Sequence, residues 1–437
     1  MNVSSFMGLQ TALKGLLAQQ RGLDVTAHNL ANANTVGYTR QEASFVASEP
    51  LAIKAGALAN GAGALLGQGV EVEAYRRLRD NFLDVQYRGQ SMSLAGNETT
   101  AGALGSIEAA LNEPGTDGIS ALLDKFWSAW GDVANYPESQ PARQALVGHA
   151  ETLANALRSF DARLTAVASE ATAEYTQITG PSGPIVAAAN EIQRLNVMIQ
   201  SSVTAGRAPN DLLDRRDVLL DELSGYAQVS VTDLGGGLIR VNFGDAAAPL
   251  VDGTNPPTWP QSLSAPGGRL GALIDLGPLT AGYHARLNDV ARSLQTSVNA
   301  IHSPPNFFTA TLGSEAATLA VAVTAATVKP GSTAAVGAND LARAIAALRG
   351  GAADQKYADL VGTIGANAAS VNRQLQTSQA LVDAADTRRQ EVSGVAMDEE
   401  VTNMIRFQRG YQASSRVMST MDEMLDMLIN RTGRVGL

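Results

Sequence analysis

The sequence predicts a mainly α protein: long heptad-patterned helices at the two ends pair as a coiled coil, a helical bundle lies between them, and a small β-rich domain is inserted into the bundle. Three observations carry this expectation. Apolar residues recur at helical spacing over most of the 437 residues. Alternation of apolar and polar residues is concentrated near 229–243. A seven-residue apolar repeat marks both ends of the chain. Aromatic residues make up only 5% of the sequence, while Ala, Gly, Ser and Thr are abundant, which suits closely approaching helices better than bulky cores.

The first helix carries Leu9, Leu16, Leu23 and Leu30 at one heptad position, with Phe6, Leu13, Gln20 and Ala27 at the other seam position. It ends in a polar run, Asn29-Leu30-Ala31-Asn32-Ala33-Asn34-Thr35-Val36-Gly37-Tyr38, where Asn and Gly favour turns. Residues 50–70, rich in Ala and Gly, read as an irregular loop or hairpin. Helices follow at about 78–111, 119–133 and 143–179; Phe126, Trp127 and Trp130 supply rare bulk. Gly180-Pro181-Ser182-Gly183-Pro184 breaks the third. Helix resumes to about Val203, and again to Leu223 from Asn210 or Asp211, both plausible N-caps. Val229, Val231, Ile239, Val241 and Phe243 then alternate across Gly235-Gly236-Gly237, a hairpin pattern. Helix returns at about 279–302, and 317–328 admits β structure. From Leu341 onward helix dominates.

The last helix mirrors the first. Met397, Met404, Tyr411, Met418 and Leu425 recur every seven residues, as do Phe407, Ser414, Met421 and Leu428. The expected organisation is therefore an N-terminal assembly helix and loop (1–45), a helical domain (46–225), an inserted β-rich domain (226–338), the return of the helical domain (339–396) and a C-terminal assembly helix (397–437).

An amphipathic helix with one apolar stripe is marginal in water and needs a partner. Pairing the two ends covers part of each seam; what is left over predicts ends that stay loose until copies of the chain meet. Gly8, Gly15 and Gly22 also repeat at heptad spacing, each costing roughly 1 kcal/mol of helix stability. Either the terminus is loose there, or another backbone approaches closely and Gly15→Leu blocks assembly without unfolding the subunit. Met418, Met421, Met424 and Met427 wrap around the seam, as ordinary core or as an adaptable contact surface. The expected assembly interface comprises Phe6, Leu9, Leu13, Leu16, Leu23, Leu30, the three glycines, Met404, Phe407, Tyr411, Met418, Met421, Leu425 and Leu428.

Composition narrows the function classes. A formal charge of −10 argues against nucleic acid or an anionic membrane as the main partner. The absence of cysteine excludes disulfides and thiolate metal sites. Met1–Ser5 lacks the basic start of a cleaved signal, and Ala316–Val328 is too short to span a bilayer. His28, His149, His284 and His302 lack metal-ligand spacing. Asp211, Asp214, Asp217, Asp221 and Glu222 stand beside Arg215 and Arg216 and read as a solvated, partly ion-paired helix face. Gly61-Ala62-Gly63-Ala64-Leu65-Leu66-Gly67 misses the dinucleotide fingerprint, and no phosphate loop or nucleophile elbow is present. No cofactor and no catalysis are expected.

The run Asn29 to Gln41, with Asn32, Asn34, Gly37, Tyr38 and Arg40, resembles the N-terminal signature of the rod, hook and hook-associated axial proteins of the bacterial flagellum. Ile405 to Arg416, with Gln408 and Tyr411, followed by Asp422-Glu423 and the apolar turns to Asn430, resembles their C-terminal signature. Three further stretches are similar to the hook-associated protein 1 family: Tyr38-Thr39-Arg40-Gln41, Asn210 to Asp217, and Ser393 to Glu400. The resemblance is strong over about 1–45, 100–225 and 390–431. It implies a structural subunit at the hook–filament junction, exported through the flagellar channel without a cleaved signal and located outside the cell. It also implies a tubular zone of identical copies touching hook protein and a second junction protein, and an export chaperone on the C-terminal helix region. Another axial subunit (hook or distal rod) is the nearest alternative; a secreted hydrolase would need a polar site that the sequence does not display.

Overall fold

The computed structural model describes residues 7–53 and 64–427 and is 66% helical. In chain order the elements are α1 (Met7–Asn32), β1 (Gln41–Ala47), β2 (Leu51–Ile53), β3 (Ala64–Leu66), β4 (Val70–Arg77), α2 (Asn81–Leu111), α3 (Ile119–Asn135), α4 (Gln140–Thr179), α5 (Pro184–Thr204) and α6 (Asn210–Tyr226). They continue with β5 (Val229–Gly235), β6 (Leu238–Phe243), β7 (Val251–Asp252), α7 (Gly268–His302), β8 (Phe308–Thr309), α8 (Glu315–Thr318), β9 (Ala320–Val321), α9 (Asp340–Ala346), α10 (Ala352–Ser393) and α11 (Met397–Asp426).

The trunk is a bundle in which α2, α4, α7 and α10 run against one another and α3 caps α4. Its core is aromatic where the sequence concentrates bulk: Phe126, Trp127 and Trp130 on one face of α3 meet Phe307 and Phe308 and the leucines of α4. The i, i+1, i+4 placement of these three side chains turns α3 into a one-sided wedge. Local signals set the helix starts. Asp80 accepts from the Phe82 N–H at 2.8 Å, Ser139 caps α4 with Pro141 in its first turn, and Pro184 opens α5, where its missing N–H costs nothing.

A second core joins α5, α6 and the start of α7 to the three-stranded antiparallel sheet β5-β6-β7. Ile239, Val241 and Phe243 of β6 are buried in it. Gly235, Gly236 and Gly237 all adopt positive φ in the β5–β6 turn. The sheet thus shares its core with helices of the trunk.

Several expectations are corrected. Around the stretch read as an irregular loop or hairpin, inside the part assigned to the helical domain, strands form that were not expected: β1 pairs with β4 along its whole length, and β2 pairs with β3. The charged, alternating run Val70–Arg77 carries this ribbon, and its polar outer face masked the strand signal. Helix α7 begins at Gly268 and runs through Pro278, because Leu270, Leu273 and Leu276 are buried in the second core and packing outweighs one lost hydrogen bond. The 317–328 stretch holds only the two-residue β9, paired with β8, after the turn of α8. Neither Asn210 nor Asp211 caps α6: the N-cap is Pro209, and the Asn210 amide instead donates to Gln41 Oε1 at 2.9 Å.

Over the described residues both end helices are continuous and packed on each other within one chain. No helix among the described residues is long and apolar enough to cross a membrane.

Candidate functional site

α1 and α11 run antiparallel, and small residues decide how close they come. A Cβ placed on Gly8 would stand 2.9 Å from Met421 Cε, one on Gly15 3.2 Å from Ser414 Oγ, and one on Gly22 2.7 Å from the Phe407 ring. Three α11 side chains spaced by seven therefore seat on three α1 glycines spaced by seven. Ala12, Ala18, Thr26 and Asn29 of α1 are also buried. The glycine stripe is met by side chains, and they come from the other end of the same chain. A larger side chain at Gly15 would therefore press on Ser414 of the same chain.

The seam assignment on α1 changes with it. Leu13 is 43% exposed, and Gln20 and Ala27 are exposed too; they point away from α11. Phe6 and Leu428 lie outside the described residues. Leu9, Leu16, Leu23 and Leu30 are half-buried, as are Met404, Met418 and Leu425; Tyr411 is exposed, and Met424 and Met427 are half exposed. The sequence pattern showed which positions are apolar but not which stripe faces inward, because helix–helix distance depends on how small the facing residues are.

The β1–β4 ribbon covers one side of this hairpin. Lys14 reaches Glu71 at 2.5 Å and Ser48 at 3.1 Å, and Phe45 packs on Phe407 with ring centroids 5.9 Å apart. Lys14 precedes Gly15 by one residue and Leu16 follows it, so on a helix they flank the contact line on opposite sides, roughly 100° away each. The same holds on α11, where Ala413 lines a hollow with Leu66 of β3, next to the ribbon, and Tyr411 and Met418 turn the other way. In an antiparallel pair these sides coincide. The leucine stripe of α1 and the Met404-Tyr411-Met418-Leu425 stripe of α11 form one long apolar face opposite the ribbon.

Below the hairpin, the three stretches singled out as family-specific meet in space. Asn29 is buried; its amide donates to Gln41 O at 2.9 Å and Glu400 Oε2 at 3.1 Å, while its oxygen accepts from the Tyr38 hydroxyl at 2.8 Å and the Gln41 N–H at 3.0 Å. All four bonds available to an Asn amide at this position are made. Burial, with Asp211, Asp214 and Glu400 nearby, raises the Tyr38 hydroxyl far above its ordinary pKa, so it remains a donor. The Arg40 N–H donates to Ser393 O at 2.8 Å, and its guanidinium takes Glu399 at 2.6 Å and Glu400 at 2.8 Å. Gly37 has φ +77° and no room for a Cβ beside Val218. Asn32 holds the turn through Thr35; Asn34, Gln408, Asp422 and Glu423 are exposed.

The acidic face of α6 is the floor of this joint: it is ion-paired as expected, but only Asp211 and Glu222 are exposed, while Asp214 is buried and Asp217 and Asp221 are largely covered. Asp211 accepts from Gln41 at 3.0 Å, and Asp214 from the Thr39 N–H at 3.0 Å and Arg77 at 2.8 Å. Asp217 meets Arg77 at 2.8 Å and Arg79 at 3.2 Å, and Asp221 meets Arg88 at 2.7 Å and Arg389 at 2.5 Å. Burial pushes the Asp217 carboxyl up, but Arg79 and Arg77 outweigh it and hold it below the usual carboxylate range. Arg215 and Arg216, the expected partners, turn away to Glu191 and to Asn196 with Gly237 O. Arg77, Arg79, Arg88 and Arg389 were missed. The available signal was an acid stripe spaced 3-3-4 on one helix, which in a folded chain calls for a basic mate.

Among the described residues no group of His, Asp and Glu could hold a metal ion. His284 is paired with Asp161 at 2.7 Å, and His302 is buried between Pro305 O and the Lys329 N–H. The arrangement offers a contact face and a rigid joint, and nothing in it resembles a nucleophile with a base.

Three family profiles match the chain along its length. Residues 9–39 match the flagella basal body rod protein, 104–260 the flagellar hook-associated protein FlgK helical domain, and 387–431 the C-terminal part of the flagellar basal body rod FlgEFG protein. Flagellar hook-associated protein 1 of Bacillus subtilis is 29% identical over 98% of this chain and 99% of its own length. The protein of the same name from Salmonella typhimurium is 31% identical over 56% of this chain, a match spanning 42% of that relative, and the one from Escherichia coli is 28% identical over 56% and 43%. The rod-type profiles fall on the two helices of the hairpin, the FlgK profile falls on the trunk between them, and the chain is similar over nearly its whole length to flagellar hook-associated protein 1.

Proposed function

We propose that this chain is a non-enzymatic building block of the hook–filament junction, and that copies assemble through the apolar face of the α1–α11 hairpin. The observation that carries this reading is the paired stripe, Leu9, Leu16, Leu23 and Leu30 beside Met404, Tyr411, Met418 and Leu425. It lies on the side of the hairpin that the β1–β4 ribbon leaves bare. An apolar strip of this length in water favours burial against a like surface. A closed ring or tube of identical copies gives every strip a neighbour. Hook protein on one side and a second junction protein on the other complete the set of partners. An export chaperone on the α11 region would shield the strip before assembly, and export without a cleaved signal places the chain in the extracellular appendage.

Introducing charge into the face tests the proposal. Leu16→Asp combined with Met418→Asp is expected to abolish polymers in sedimentation and electron microscopy while trunk helicity is retained. In cells, this variant should leave hooks without filaments. Normal polymers from the charged variant would rule the proposed face out, and missing hooks would point to a rod or hook role.

A further inference from the structure

We infer that Arg40 is a positioning residue that clasps the bend between α10 and α11 and so fixes the angle at which the hairpin leaves the trunk. The inference rests on the proposed assembly role and adds a device that sets the geometry of each copy before it meets a neighbour. The bend is short: α10 ends at Ser393 and α11 begins at Met397. Arg40 holds both sides of it. Its backbone N–H donates to Ser393 O, the last carbonyl of α10, at 2.8 Å. Its side chain binds Glu399 and Glu400 in the first turn of α11.

Glu400 makes this clasp stiff. Its side chain is 2% exposed, yet it is a carboxylate, held by Arg40 Nε at 2.8 Å and the Asn29 amide at 3.1 Å. A buried carboxylate without partners is strongly unfavourable. Tilting α11 away from Arg40 therefore strands a charge that water does not reach, and intermediate angles are disfavoured. At the bend itself, a Cβ on Gly394 would stand 2.4 Å from Gln390 O, so the chain turns tightly against the end of α10. One turn back, Arg389 binds Asp221 and lies 3.9 Å over the Tyr87 ring, which anchors the trunk side. Pre-set geometry lowers the ordering cost of assembly.

The absence of cysteine makes spin labelling direct. A cross-joint pair, Gln20→Cys with Glu222→Cys, reads the angle between hairpin and trunk in the unassembled full chain. A second pair, Gln20→Cys with Gln408→Cys, reads whether the hairpin itself is intact. The parent is expected to give one narrow distance peak for each pair. Arg40→Ala should lose the single cross-joint peak and keep the hairpin peak, and Arg40→Lys should restore part of the cross-joint peak. An unchanged cross-joint peak in Arg40→Ala overturns the inference. Loss of the hairpin peak also overturns it, because Arg40 then holds the helix pair together and not its angle. These distances are measured without polymers, so failure of the parent chain to assemble would count against the proposed function alone.

Discussion

At the scale of single residues, the joint depends on charges that are buried together. Asp217 stands among Arg77, Arg79 and Arg88, and removing it leaves three guanidinium groups facing a vacated position. Asp217→Ala is expected to lower stability by about 3–5 kcal/mol, read as a drop in the urea midpoint. The acid response follows from the depressed carboxyl. A carboxylate whose folded pKa lies below its unfolded value contributes stability that is complete above the unfolded value, near about pH 4, and is lost as pH falls through the folded value. Urea midpoints measured downward from pH 5 should therefore fall more steeply in the parent than in Asp217→Asn. Parallel curves would show that the arginines do not set this carboxyl. Arg79 fits the same picture: burial disfavours its charge, but Asp217 and Asp84 more than compensate and raise its pKa.

Among the elements, the α1–α11 pair is governed by size at the contact line. Gly22 sits under the Phe407 ring with no room for a Cβ, so Gly22→Leu is expected to force the helices apart. Far-UV circular dichroism should show lost helix, and limited proteolysis should cut within the ends first. Phe407→Ala in the same chain should recover much of the pairing by returning space, a coupling that a double-mutant cycle measures directly. If the two substitutions simply add, the ring does not seat on the glycine. The methionines divide by position: Met421 packs on Gly8, whereas Met424 and Met427 are half exposed and belong to the outward surface.

For the whole molecule, trunk and hairpin differ sharply in how much each buries. The trunk holds the aromatic core around Phe126, Trp127 and Trp130, while Glu400 is the only residue of α11 that is buried among those described. Regions with few buried apolar contacts open first. Native-state amide exchange should be slowest in α3 and α4 and fastest toward the end of α11, and heating should melt the hairpin before the trunk. One sharp transition with uniform exchange would contradict this division.

The sequence by itself determined the helical class, the heptad ends, the hairpin at Gly235–Gly237 and the family signatures, because periodicity, turn residues and short motifs are local properties. It also named the three stretches that form the joint, without revealing that they touch. Tertiary structure decided which face of α1 is inner, that β1 and β4 pair as a ribbon, and that Asp214, Asp217 and Asp221 of α6 lie against Arg77, Arg79, Arg88 and Arg389. Those outcomes depend on which distant segment arrives opposite each residue. A stripe of glycines or carboxylates has the same local pattern whether it meets water, its own chain or another copy.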